Sequence, residues 1–321
     1  MRRRRLLAAG AAAAAAGAAA TIGYAAERAA ARRWRVDEEA LAASGRTLPA
    51  ELRHHFLDLS DGGRLHAVER GEGPPVVLVP GITLTLATWT PQLRQLSRHH
   101  RVIALSQRGH GQSTAGTEGY RMERLAQDLL EVLDALDVRD AVLCGHSMGG
   151  MVAQLLAISH PEATGRRVAR LVLAATSPGP VARGPLVGPV AALTHRGLRW
   201  AERRGGGLFP GDDAGVWATR LAFGSHPSPS DVELTRSIVD AMSPAALQGL
   251  VPALLSFDVR DRLGELRLPV HAVVGSRDLL TPPRTARAIV AGVPGADLTV
   301  LPGCGHMVML ERVDELCALL R

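Results

Sequence analysis

The chain contains no lysine: all 37 basic residues among its 321 are arginine. With the abundance of alanine, this reads as genome composition rather than function. Aromatic residues make up only 3%, so the core has to be aliphatic and an aromatic-lined substrate groove is disfavoured. Three cysteines cannot all pair; Cys144 lies in an apolar run, and Cys304 and Cys317 flank a turn and a helical pattern. They read as small buried hydrophobes rather than a disulfide framework, which leaves the compartment open. No cysteine or histidine spacing suits zinc. Positive charge is also missing from the body of the chain. The formal net charge is +6, but residues 1–35 hold eight arginines against Glu27 alone, which leaves the remainder at about −1. A near-neutral domain carries no electrostatic footprint for nucleic acid.

What is present describes a globular protein, with 46% hydrophobic and 21% charged residues. The length suits one large domain with an insertion. Arg2–Arg5 precede an uncharged, alanine-rich run over residues 6–26, and charge returns over 27–35. That run is long enough to span a bilayer at about 1.5 Å per residue. Residues 1–35 are therefore expected to form an uncleaved membrane anchor. The alternatives are a cleaved export signal, with Gly23 and Ala25 available for the cleavage site, or an alanine-rich tail. The arginine cluster at the start favours an N-inside orientation. The expected location is membrane-anchored or exported, with the folded domain outside the cytoplasm.

The rest of the chain is organised around Ala141-Val142-Leu143-Cys144-Gly145-His146-Ser147-Met148-Gly149-Gly150. A short apolar run leads into Gly-x-Ser-x-Gly, and a helical pattern follows at once. Strand, sharp turn and helix in that order expose a serine hydroxyl at the tip of a strained turn. Glycines are needed at 145 and 149 because a Cβ at either would strike the adjacent strand or helix. The turn also aims the first amides of the helix at one point, making the Met148 N–H a candidate oxyanion donor.

Strand and helix alternate from residue 76 onward. Apolar strands are expected at 76–79, 101–106, 170–175, 270–274 and 298–301, besides the one before Ser147. Helical periodicity covers about 89–97, 122–136, 149–160 (stopped by Pro161), 284–293 and 308–320. Ahead of these, residues 36 to about 52 read as a helical or linking stretch, and 36–54 as the linker to the folded domain. The runs 55–59 and 64–69 read as a hairpin around Asp61-Gly62-Gly63. The expected fold is α/β, a mostly parallel open sheet with helices on both faces. Residues 55–176 and 269–321 form its core. Between them, residues 177–268 are rich in Pro, Gly and Arg and show no convincing strand. They are expected to form a helical lid inserted over the sheet's carboxyl edge.

A serine hydroxyl needs a base, and the base needs a partner that fixes its tautomer. In an open α/β sheet both should sit on loops at the carboxyl ends of strands. Strand 270–274 runs into Gly275-Ser276-Arg277-Asp278, and strand 298–301 into Pro302-Gly303-Cys304-Gly305-His306. Alone, Asp278 would read as a cap for the next helix and His306 as a solvated turn residue. Together, after the Ser147 turn and in the order Ser, Asp, His, they read as a catalytic triad. His146 adjoins Ser147, but neighbouring side chains on a tight turn diverge, so it takes no proton-transfer role. Arg108 and His110 are read as holding their own loop in shape.

Over residues 55–321 the chain resembles the serine α/β-hydrolases with a helical lid. Four segments carry the resemblance: Gly145-His146-Ser147-Met148-Gly149-Gly150, Arg108-Gly109-His110-Gly111-Gln112-Ser113, Gly275-Ser276-Arg277-Asp278 and Gly305-His306. The resemblance implies a second oxyanion donor at the backbone of Ile82, after strand 76–79. Two departures stand out. Pro80 replaces the histidine that family members have before Gly81, and Ser106 stands where they often have aspartate.

The residues and the resemblance together lead to an expected hydrolase that cleaves a carboxylic ester or related acyl compound through an acyl-enzyme on Ser147. No cofactor and no metal is expected. The same triad would also serve a cofactor-free perhydrolase of the haloperoxidase type or a C–C bond hydrolase. A reading of another class is a membrane-tethered, non-catalytic ligand-binding protein. The aliphatic content of the lid, including Leu186, Val187, Leu193, Leu221 and residues 250–255, suggests an apolar acyl or alcohol group.

Overall fold

The computed structural model describes residues 34–180 and 213–321. The anchor expected over residues 6–26 lies outside the described residues, and so do 181–212 of the expected lid, with Leu186, Val187 and Leu193. Eight strands form one sheet: β1 Arg53–Asp58, β2 Arg64–Arg70, β3 Pro75–Val79, β4 Arg101–Leu105, β5 Ala141–His146, β6 Val168–Ala174, β7 Val270–Gly275 and β8 Asp297–Leu301. Their order across the sheet is β1-β2-β4-β3-β5-β6-β7-β8. The pairs β1/β2 and β2/β4 are antiparallel, and every pair from β4/β3 to β7/β8 is parallel.

Alternation along the parallel strands divides the core into two layers, since successive side chains leave a strand on opposite faces. Val77, Ile103, Leu143 and Leu171 point toward helices Met122–Ala135 and Met148–Ser159. Val76, Val102, Cys144 and Val172 point toward helices Thr90–Leu96 and Val313–Leu320. Helix Met148–Ser159 is buried from Met148 to Ile158, which explains why its sequence is apolar all round instead of on one stripe. All three cysteines are buried free thiols.

Helix Met148–Ser159 stops before Pro161, as expected; Pro161 then occupies the first turn of a second helix, Pro161–Arg167, where its missing N–H costs nothing. Two local differences from the sequence reading have physical causes. The expected final helix is two, Val308–Glu311 and Val313–Leu320, broken at Arg312 with φ −139° and ψ 60°. The break follows Glu311, whose carboxylate is bonded to the backbone of two loops. Residues 36–54 are more than a linker. They contain helix Glu38–Ala43, capped by Asp37, and Arg46 makes a salt bridge with the buried Asp231 of helix Pro229–Asp240. Within the insertion the described residues form helices Asp213–Arg220, Pro229–Asp240 and Pro244–Ser256 and the tight helix Arg260–Glu265, without a strand. No single helix among the described residues is long and apolar enough to cross a membrane.

The loop after β4 is fixed by buried charge. Arg108 is fully buried and donates through Nη2 to Asp128 Oδ1 (2.7 Å), through Nη1 to Asp61 Oδ2 (3.1 Å) and to the Gly119 carbonyl. Arg124 donates to the same Asp128 oxygen at 2.8 Å. Burial works to raise the Asp61 pKa, but the Arg108 guanidinium and the amides of Gly63 and Glu118 outweigh it and hold the carboxyl at about 2. Ser106, which stands where aspartate was expected, has its own task. Its Oγ accepts the Leu86 N–H at 3.1 Å, at the start of the turn Leu86–Trp89. Removing one member of a buried ion network strands its partners, typically at about 3–5 kcal/mol. Asp128→Ala is therefore expected to lower the free energy of urea unfolding by about that amount. A loss below about 1 kcal/mol would show that Arg108 and Arg124 do not depend on this carboxylate.

Candidate active site

The chain moves from β3 outward to β4 and then back past β3 to β5. The crevice beyond the carboxyl ends of β3 and β5 is thus the topological switch point, where open α/β sheets bind ligands. Val79 of β3 and Gly145 of β5 are paired in register, so the two strands end together. Ser147 follows β5 directly with φ 50° and ψ −119°, a conformation a non-glycine residue occupies only under constraint. The constraint is visible. Ser147 N–H donates to the Ala174 carbonyl (3.0 Å), and its own carbonyl accepts the Thr176 hydroxyl (2.6 Å) and the Gly150 N–H (3.0 Å). A Cβ on Gly145 would stand 2.4 Å from the Gly149 carbonyl oxygen, and one on Gly149 would stand 2.4 Å from the Val79 oxygen. Both glycines of the motif are required by packing, as the sequence reading expected. Met148 is the first residue of the helix, so its N–H has no intrahelical partner.

Asp278 and His306 come together across the ends of β7 and β8. His306 Nδ1–H donates to Asp278 Oδ2 at 2.9 Å. Asp278 Oδ2 also accepts the Thr281 hydroxyl (2.8 Å), and Oδ1 accepts the backbone N–H groups of Leu280 and Thr281 (2.8 Å each). Burial alone would raise the Asp278 pKa, but the His306 ring and the Thr281 donors reverse the effect and keep it below the usual carboxylate range. The cap reading of Asp278 does not hold, because helix Pro283–Gly292 starts after Pro282 without a side-chain cap; Oδ1 instead closes an Asx-type turn over the amides of Leu280 and Thr281. Thr281 was not foreseen. Its hydroxyl lies 3.2 Å from His306 Nδ1 and 2.8 Å from Asp278 Oδ2, so it touches both members of the pair. An isolated threonine three residues after an aspartate carries no sequence signal of that kind.

The other two histidines near the site are neutral spacers. His146 Nε2–H donates to the His306 carbonyl oxygen at 2.9 Å, which ties the end of β5 to the loop carrying His306. Full burial, then the neighbouring His306, depresses its pKa to about 3. His110 donates from Nδ1 to the Arg108 carbonyl (3.0 Å) and accepts the Thr83 N–H at Nε2 (3.1 Å). Burial holds it at about 4. Thr83 has φ 65°. The Arg108-Gly109-His110 loop therefore holds not only itself but also the turn after β3 that carries Ile82. Gln107 adds a bond from Nε2 to the Pro80 carbonyl at 2.7 Å, which anchors the position where proline replaces histidine.

Ser147, His306, Ile82 and Thr281 line one cavity of about 490 Å³. The insertion contributes Ala218, Ala222, Val239 and Leu254, and Leu84, Leu279, Leu280 and Met307 complete an apolar wall. Leu279 and Leu280 are 71% and 53% exposed. No group of three or more His, Cys, Asp or Glu side chains among the described residues is placed to hold a metal ion.

Residues 74–313 match the family described as alpha/beta hydrolase fold. The chain belongs to this family. Among the curated relatives, a putative carbamate hydrolase RutD of Stutzerimonas stutzeri is 28% identical over 79% of this chain and 96% of its own length. A pimeloyl-acyl-carrier-protein methyl ester esterase of Nitrosospira multiformis is 26% identical over 79% of this chain and 95% of its own. Among solved structures, a hydrolase from Pseudomonas aeruginosa PA01 is 32% identical with a TM-score of 0.69, over 84% of this chain and 97% of that one. As an α/β-hydrolase, the chain has the expected fold, with its lid expected between β6 and β7.

Neutral His110 and His146 make the fold sensitive to acid. The ordinary value is 6.5; below it the unfolded chain takes up protons that the folded one refuses, so stability falls as the pH drops toward about 4. Ring ¹⁵N spectra of the folded protein are expected to show an Nε2–H tautomer for His146 and an Nδ1–H tautomer for His110, unchanged from about pH 8 to about pH 5. Either ring appearing as imidazolium at the lower pH would contradict the buried, neutral assignment.

Proposed function

We propose that the protein is a serine hydrolase that cleaves carboxylic esters or closely related acyl compounds. The observation that carries the reading is one cavity that holds both a serine in a constrained turn at a helix N-terminus and a histidine bonded to a buried, ionised aspartate. The names of the two relatives, a carbamate hydrolase and a methyl ester esterase, support hydrolysis.

In the proposed reaction Ser147 Oγ attacks the acyl carbon while His306 Nε2 accepts its proton. Asp278 stays ionised, keeps the His306 proton on Nδ1 and stabilises the imidazolium that forms. The carbonyl oxygen becomes an oxyanion facing the N–H groups of Met148 and Ile82, where fixed donors contribute more than mobile water can. His306 returns the proton to the departing alcohol, leaving an ester on Ser147. Water then enters by the same route in reverse order of roles, with His306 as base, and releases the acid. The apolar wall suits an acyl group of several carbons, and a cavity of about 490 Å³ is in the range of small-ligand sites.

The test is hydrolysis of chromogenic esters of increasing acyl length. Turnover by the parent is expected to disappear in Ser147→Ala. Asp278→Asn should lower kcat about 10⁴-fold, because the imidazole loses the partner that sets its tautomer. If a serine-directed phosphonate labels Ser147 while no ester turns over, the nucleophile stands and the substrate class is wrong. A folded protein with neither label nor turnover would leave the ligand-binding reading.

A further inference from the structure

The loop carrying His306 is bonded on two sides, and only one side belongs to the sheet. Toward the sheet, Arg277 N–H donates to the Cys304 carbonyl and Gly303 N–H to Ser276 Oγ, each at 2.9 Å, which joins the loop to the one bearing Asp278. On the other side lies the lid segment that follows helix Asp213–Arg220. His306 N–H donates to the Ala222 carbonyl at 2.7 Å, and Ser225 N–H donates to the Gly303 carbonyl at 2.9 Å. The two backbones touch without side chains between them. A Cβ on Gly224 would stand 2.0 Å from the Gly303 oxygen, and one on Gly305 would stand 2.4 Å from Gly224 N.

This contact brings two further N–H groups side by side, those of Gly224 and Gly305. Both donate to one carboxylate, Glu311, at Oε2 (2.7 Å) and Oε1 (2.9 Å) respectively. A side chain that accepts one amide from each segment is a clamp; burial raises the Glu311 pKa, and the Gly224 and Gly305 amides work against that rise. The break at Arg312 follows immediately, so the short helix Val308–Glu311 ends with this side chain at the junction.

We propose that Glu311 is a positioning residue that locks the lid to the catalytic base, so that lid placement and the geometry of His306 are a single variable. The proposal rests on the reading of His306 as the base. Ala222 of the lid segment, with Ala218 of the helix before it, also lines the cavity wall. An acyl group filling the cavity thus presses on the same backbone that holds the His306 amide. A side chain five residues beyond the base, touching neither Ser147 nor substrate, then controls the turnover step rather than substrate binding.

The experiment compares the full chain with Glu311→Gln and Gly224→Ala, which disturb the clamp from opposite sides. Glu311→Gln keeps the shape but turns one acceptor into a donor; Gly224→Ala drives the two backbones apart. Each is expected to lower kcat about 10- to 100-fold, equally for short and long acyl esters, with KM nearly unchanged. A loss confined to the KM of long esters would mean that the lid only shapes the pocket, and would overturn the proposal. An unchanged kcat in folded Glu311→Gln would do the same. If the wild type turns over no ester, the rate at which a phosphonate labels Ser147 replaces kcat. That rate depends on His306 but not on the substrate class, so the two readings fail separately. Amide hydrogen exchange on the unmodified protein provides a measurement free of folding defects. Gly224, Gly305 and His306 are expected to share one protection factor, and a His306 amide that stays protected while Gly224 opens would overturn the coupling.

Discussion

The Nδ1–H of His306 needs a carboxylate that stays ionised out of water, and much of the C-terminal half of the fold serves that bond. An aspartate buried at the end of β7 would on its own take up a proton, because charge is costly where water cannot follow. Here Asp278 accepts four hydrogen bonds, two from backbone amides, one from the Thr281 hydroxyl and one from the His306 ring. The two amides come from the turn that Asp278 itself forms, so the residue creates part of its own support. The pairing of β7 with β8, from His271 opposite Asp297 to Gly275 opposite Leu301, brings the two loops to one level. Without that register the aspartate and the histidine, 28 residues apart in sequence, would not meet.

Around the Asp278–His306 pair the site adds no second charge from its neighbouring histidine. The His146 ring lies 4.7 Å from that of His306, close enough to disturb the pair if it carried a proton, and burial denies it that charge. His146 and His110 each use their ring nitrogens to connect segments: His146 joins β5 to the His306 loop, and His110 joins the loop after β4 to the turn after β3. Full positive charge is placed one layer back, where Arg108 and Arg124 meet Asp128 and Asp61. In the proposed reaction the imidazolium that forms transiently on His306 faces the Asp278 carboxylate as its counter-charge.

The sheet and the candidate triad were legible because their signals are local. An apolar run, a glycine-flanked serine and a helix identify one turn, and strand ends identify where Asp278 and His306 must stand. Chain order then links them. The roles of Thr281, His146 and Glu311 were not legible, because each depends on which backbone atoms lie beside it after folding. A glutamate five residues past a histidine looks like any helix residue until Gly224, some 87 residues earlier, is seen to donate to it. Residues 36–54 were underread for the same reason: Arg46 finds its partner Asp231 only in the folded chain, 185 residues away. Pro161 signals the end of helix Met148–Ser159 correctly, and the helix it starts went unforeseen because proline stops one helix and opens another equally well.

A covalent intermediate is the central requirement of the proposed chemistry, and it can be observed directly. The purified protein would be mixed with an excess of a medium-chain nitrophenyl ester, quenched in acid within milliseconds to seconds, and digested for mass spectrometry. The acyl mass should appear on the peptide containing Ser147 before or together with the first equivalent of nitrophenol, and nowhere else. Release of nitrophenol with the acyl group on another residue, or with no acylated peptide at any time while a Ser147→Ala control turns over at the same rate, would contradict the mechanism.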